Sequence, residues 1–192
     1  MKTEKTFIGI FLLALILKFN NIPGSSVLLI LSLGIISILY LPLAFYFFSD
    51  KSLKNQNIVL SITGGMALAL MPIGILFKFM YWPGAQVSLI GSIFFTSILL
   101  IIVFILNRQN SEQLKTYYKN YFIRIIFWLS LGLILCFTSK RTLIEFQHSD
   151  DPEMVRLQIQ SFENPSNEDY YNELQNYYHK NDSLYLVKHR DE

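Results

Sequence analysis

Two lysines, Lys18 and Lys78, stand near the ends of long apolar runs, each five residues ahead of a Pro-Gly pair, Pro23-Gly24 and Pro83-Gly84. An ammonium group in an apolar segment is costly unless it is solvated, paired or hydrogen-bonded, so each is a candidate for handling an anion or a solute. The competing role is structural. A lysine one turn from a helix C-terminus meets the free carbonyls there, worth ~0.3–1 kcal/mol, and its stem can reach the headgroup layer. Both lysines lie so close to the ends of their runs that the structural role fits them better. Arg124, near the start of another apolar run, reads as an anchor that snorkels outward. His148, His179 and His189 lack close metal-ligand spacing, and Cys136 is the lone cysteine. There is no phosphate-binding glycine loop, nucleophile elbow or His-Glu-x-x-His sequence. These residues predict no enzyme, no cofactor and no metal.

The elements that must position the lysines are apolar. Of 192 residues 52% are hydrophobic and only 16% charged, too apolar for an ordinary soluble domain. The apolar residues fall into five runs: Thr6 to Phe19, Val27 to Phe48, Ile58 to Phe79, Val87 to Leu106 and Phe122 to Phe137. About 20 helical residues cross the ~30 Å hydrocarbon layer. Runs two, three and four meet that length and contain no acid. The first is short and follows Lys2 and Lys5, as a signal peptide would, but no small-x-small cleavage pattern precedes Asn20, so it is expected to persist as a span. The fifth is short as well, with Tyr117, Tyr118, Tyr121 and Trp128 expected as interfacial aromatics.

Lys18 to Leu39 matches Lys78 to Leu99, sixty positions on, at Lys, Phe, Pro, Gly and several apolar and serine positions. The expected fold is therefore all-α and membrane-embedded, with about five transmembrane helices: two repeated hairpins, 1–50 and 51–107, then a connector and fifth span over 108–138. Proline disfavours helix in the residue before it, which ends each first span near Asn21 or Tyr81, and the following glycine permits a left-handed reversal. Trp82 and Tyr81 fit an aromatic belt. Ser61, Gly65 and Ala69, and likewise Ser88, Ser92 and Thr96, recur every fourth residue, a stripe that lets helices approach closely in lipid. Pro42 and Pro72 are expected to kink their helices, freeing carbonyls for neighbours or for a solute path.

Lys and Arg flank alternate turns, and the turns Asn20 to Ser26 and Met80 to Gln86 carry none. The positive-inside rule then puts the N-terminus in the cytoplasm and, after five spans, the tail on the far side. This distribution, not a nucleic-acid surface, accounts for the net charge of +2. The tail, residues 139–192, is acidic and rich in tyrosine. Asp151 before Pro152 predicts one helix start, and Ser166 with Asp169 predicts a second by a capping box. A segment of that size buries little surface alone, so a partner, the bilayer or mobility is expected.

The stretch Phe77-Lys78-Phe79-Met80-Tyr81-Trp82-Pro83-Gly84-Ala85 resembles the transmembrane hairpin signature of the gliding motility L protein family, inner-membrane motor subunits of gliding and type 9 secretion. Lys78, Trp82, Pro83, Gly84 and Ala85 match, Tyr81 stands where histidine is frequent, and Lys18, Pro23 and Gly24 form a weaker copy. The resemblance implies a bacterial inner-membrane location. It also implies a proton-handling glutamate in the second helix of the hairpin, and neither Val27 to Phe48 nor Val87 to Leu106 has an acid. The hairpin fold carries over; the motor activity does not. The expected function is a non-catalytic assembly or accessory subunit, set in the lipid bilayer and joined through its tail to a membrane or periplasmic protein, or to its own copies. The alternative is a small-solute or ion transporter whose path is lined by Lys18, Lys78, Pro42 and Pro72.

Overall fold

The computed structural model describes residues 2–20, 22, 24–48, 58–109 and 112–188. The side chains of residues 2–3, 42–48, 58–59, 61, 109, 112–116 and 181–188 lie outside that description. So do the expectations for Asn21, Pro23, the loop Ser49 to Asn57, the side chains of Pro42 and Ser61, and His189. The described residues form eight helices and no strand, in two compact units, residues 1–139 and 140–192.

The first unit holds α1 (Lys2–Phe19), α2 (Ser25–Phe48), α3 (Ile58–Phe79), α4 (Ala85–Gln109) and α5 (Glu112–Phe137). Consecutive helices pack together where their connections are short, and α3 also touches α5, which makes it the central helix. Leu33, Leu68, Met71, Ile75, Leu89 and Trp128 are buried between the helices. Large apolar side chains also face outward, among them Ile38, Phe94, Phe95, Ile101 and Ile134. Water penalises such a surface and hydrocarbon does not. Three helical segments, Ile62–Phe79, Ala85–Arg108 and Tyr117–Phe137, are long and apolar enough to cross a membrane. The described part of α2, Ser25–Leu41, is apolar but shorter, and α1 carries Glu4, Lys5 and Lys18.

The reversal after α3 is written by local chemistry. Trp82 N–H donates to the Phe77 carbonyl at 3.0 Å and Tyr81 N–H to the Lys78 carbonyl at 3.4 Å, with Tyr81 left-handed at φ 56°. Those paired bonds around a left-handed residue are a Schellman cap, completed by the edge-on contact of Trp82 with Phe77 at 5.0 Å. The cap stops α3 at Phe79, earlier than the proline alone predicts. Gly84, at φ 77°, then turns the chain into α4, and Gly24, at φ 83°, does the same into α2. Ile22 N–H donates to the Leu17 carbonyl at 3.1 Å, the bond sixty positions upstream of the one from Trp82.

Three sequence expectations change. The segment after α4 is mostly helical, because α5 begins at Glu112 and carries Tyr117, Tyr118 and Tyr121 into the bundle. These tyrosines and Trp128 are buried among the helices. Tyr121 donates to the Leu60 carbonyl at 3.2 Å and fills a notch that exists because residue 64 is glycine. In the tail, a further helix, α6 (Lys140–Gln147), precedes α7 (Pro152–Glu163) and α8 (Glu168–Lys188). Finally, α8 is capped by Asn167, whose Oδ1 accepts from Asp169 N–H at 3.0 Å, in place of the Ser166 box.

Pro72 lies inside α3, and hydroxyls from neighbouring helices reach the turn before it. A helical proline removes one amide donor and spoils the geometry of the preceding turn. In that turn the Ala69 carbonyl accepts from Ser37 Oγ at 2.6 Å, and the Leu70 carbonyl lies 2.9 Å from Ser92 Oγ. Of the two small-residue stripes, Gly65, Ala69, Ser92 and Thr96 are buried and Ser88 half-buried. Two residues beyond Pro72 the helices approach closely, for a Cβ at Gly74 would meet Leu89 Cα and Ser92 Oγ at 3.1 Å each. Gly74→Val is therefore expected to lower unfolding stability in detergent by about 1–3 kcal/mol. Gly91→Ala, which meets nothing within 4 Å, should leave stability unchanged or raised by less than about 1 kcal/mol. Thermal unfolding of the two purified variants checks both.

Candidate functional site

Beside the start of α1, midway along α5 and two-thirds of the way along α2, a carboxylate from the first turn of the chain meets a guanidinium 120 residues later. Arg124 Nε donates to Glu4 Oε1 at 2.6 Å and Arg124 Nη2 to Glu4 Oε2 at 2.7 Å, a two-point, charge-assisted pair. Their side chains are only 12% and 7% exposed. Tyr40 of α2 donates its hydroxyl to Glu4 Oε1 at 2.8 Å and accepts from Trp128 Nε1 at 3.2 Å. Arg124 Nη1 donates to the Asn120 carbonyl at 3.2 Å. Trp128 is walled by Phe11 at 6.0 Å and by the Tyr40 ring, edge-on, at 6.5 Å. Three helices are thus tied by one chain of polar contacts. Beside it lies a cavity of about 340 Å³, lined by these four side chains with Lys5, Ile8, Asn120, Ile123 and Phe127.

Arg124 therefore points inward to a partner, not outward to the interface. Glu4 had no assigned role in the sequence, since it precedes the apolar run by two residues and looks like a solvated helix start. A signal was present in α5. Tyr117, Tyr121, Arg124 and Trp128 recur every three or four residues and share one helix face. An arginine among buried aromatics needs an acid, and few acids precede the tail.

The two lysines make matching local contacts. Lys18 Nζ donates to Ser26 Oγ at 2.9 Å, and Lys78 Nζ to Gln86 Oε1 at 3.0 Å, each eight residues on, at the start of the next helix. Lys78 is 4% exposed. Gln86 Nε2 in turn lies 3.5 Å from both the carbonyl and Sγ of Cys136 in α5. Phe19 and Phe79, the residues after the lysines, meet edge-on at 6.3 Å. Each lysine thus clasps its own hairpin across the Pro-Gly turn. In the matched motif Trp82, Pro83 and Gly84 are exposed, and Ala85 is buried at the start of α4.

In the second unit Asp151 works twice. Its Oδ1 accepts from Met154 N–H at 3.1 Å, capping α7, and the Tyr177 hydroxyl of α8 lies 2.8 and 2.7 Å from the two carboxylate oxygens. Met154, Leu157 and Leu174 form a small core there, with Tyr177 against it. Arg156 and Glu173 pair at 3.6 Å across the same two helices, but both are about half exposed and add little.

Removing one member of a buried ion pair strands the other, so Glu4→Gln and Arg124→Met are each expected to destabilise the bundle by about 3–5 kcal/mol. The double variant should lose less than the sum of the two. Trp128→Phe, which deletes one hydrogen bond and some volume, should cost about 1–3 kcal/mol. A double-mutant cycle on thermal unfolding checks the coupling, and strictly additive losses would refute the pair.

No family model matches this chain, and no curated protein or solved structure matches it.

Proposed function

We propose that the chain is an integral membrane protein of five spans that acts as a non-catalytic assembly or accessory subunit of a membrane complex. Its two hairpins would be copies of one unit resembling the gliding motility L protein hairpin. The bonds from Ile22 and Trp82, the left-handed Gly24 and Gly84, and the lysine clasps all recur at the same offset of sixty, which supports duplication. At ~1.5 Å per residue, the 18 residues of α1 reach about 27 Å and the 24 of α2 about 36 Å. Those lengths suit spans one and two. The basic turns favour a cytoplasmic N-terminus and a periplasmic tail in a bacterial inner membrane.

The observation that carries the reading is the contrast between the two units. In the bundle, the polar side chains that a solute path would use are engaged in packing: Lys18 and Lys78 hold their hairpins, and Ser37 and Ser92 serve backbone carbonyls of α3. The tail unit has a small core and leaves Phe146, Phe162, Tyr171 and Tyr178 exposed at 64%, 38%, 57% and 37%. So little buried surface gives limited stability, and exposed aromatics on short helices are suited to docking on another protein. Those facts favour assembly over transport.

Crosslinking and mass spectrometry of the native protein in its own membranes tests this. A defined partner is expected with the full chain and should be lost when residues 140–192 are deleted, with membrane insertion retained. A partner that persists in the deleted form would overturn the role given to the tail. Flux through reconstituted vesicles that disappears in Lys18→Met and Lys78→Met would instead establish transport.

A further inference from the structure

The cavity beside Glu4 and Arg124 is not needed for the accessory role, and its lining has its own logic. The charges of Glu4 and Arg124 cancel each other at hydrogen-bond distance, and Tyr40 and Trp128 complete their bonding. One further ionic group lines the space. Lys5 is exposed and has no hydrogen bond or ion pair among the described residues. The remaining wall is apolar, from Ile8, Ile123 and Phe127, with Ile123 54% exposed, and Asn120 adds an amide at the rim. At about 340 Å³ the space falls within the range of small-molecule sites. A cavity with one positive charge unpaired among the described residues near the start of α1, and an apolar wall running along α1 and α5, matches an amphiphile with an anionic head.

We infer that this cavity seats one anionic phospholipid, its phosphate on Lys5 and Asn120 and an acyl chain against Ile8, Ile123 and Phe127. The inference rests on α1 and α5 lying in the membrane. On that reading the cavity opens at the headgroup level of the leaflet that the basic turns face, where anionic lipids meet juxtamembrane lysines. The neutral ion pair behind it would set the selectivity, because Arg124 is held by Glu4 and Lys5 is the lining cation that has no partner among the described residues. The lipid would fill the space between α1 and α5 that the two helices leave open.

Native mass spectrometry of the full chain in detergent, titrated with phosphatidylglycerol and phosphatidylcholine, tests the site, with membrane fractionation read in parallel. The expected result is one phosphatidylglycerol retained about fivefold better than phosphatidylcholine, the gain given by one basic residue at an anionic surface. Lys5→Gln should abolish the preference and Ile123→Trp, which fills the cavity, should lower retention of both lipids. Lys119→Gln, an exposed lysine outside the cavity, should change nothing. Equal retention of the two lipids overturns the inference, as does a preference that survives Lys5→Gln or is lost equally in Lys119→Gln. Displacement of the lipid by inorganic phosphate alone would show that the acyl wall plays no part, and overturns it as well. Loss of selectivity in a protein that still sediments with membranes removes the lipid site and leaves the membrane reading standing.

Discussion

A carboxylate and a guanidinium withdrawn from water must meet, and in this bundle the pair they form fixes how the chain closes. The desolvation of Glu4 and Arg124 costs several kcal/mol per ion, offset only where geometry is two-pointed and the spare lone pairs and donors are used. Here both carboxylate oxygens accept from Arg124, Tyr40 adds a third bond, and Trp128 satisfies Tyr40 in turn. The consequence is topological. α1 has its main contact with α2, so it is this polar chain and the Phe11 contact with Trp128 that bring the beginning of the sequence to the fifth helix. Such a pair defines one arrangement of helices more sharply than apolar packing, which tolerates sliding.

The rest of the bundle follows the same economy of polar groups. In the turn before Pro72, backbone carbonyls lie within bonding distance of hydroxyls from the helices on either side of α3. Gly64, Gly74 and Gly132 let Tyr121, Leu89 and Met71 come against the neighbouring backbone. The lysines close their own turns. Kinks, small residues and buried cations can each signal a transport path, but here the Pro72 turn, the close-packed glycines and both lysines have packing partners.

What was legible in the sequence was local. The Pro-Gly reversals, the long apolar runs and the Asp151 cap depend on residues within a few positions of one another, and α3 and α4 end and begin within two residues of the expected places. The start of α5 was missed because a polar, tyrosine-bearing segment reads as a connector until its buried helix face is counted. Glu4 was missed for a stronger reason: no local rule links it to Arg124, 120 positions away. The hairpin resemblance also directed attention to the second helices, which hold no acid, while the acid that matters to the bundle begins the first. Likewise, the spacing of Tyr117, Tyr121 and Trp128 puts them on one helix face, but spacing alone does not say that the face turns inward.

In the proposed role the bundle is self-sufficient and recognition lies in the tail. Site-specific photocrosslinking in native membranes tests this most directly, with the photoreactive residue placed either at Tyr171, 57% exposed in the tail, or at Val87, 78% exposed on α4. A discrete crosslink to another polypeptide from position 171, with lipid adducts alone from position 87, is the result the account predicts. Protein crosslinks from position 87 and none from position 171 would contradict it.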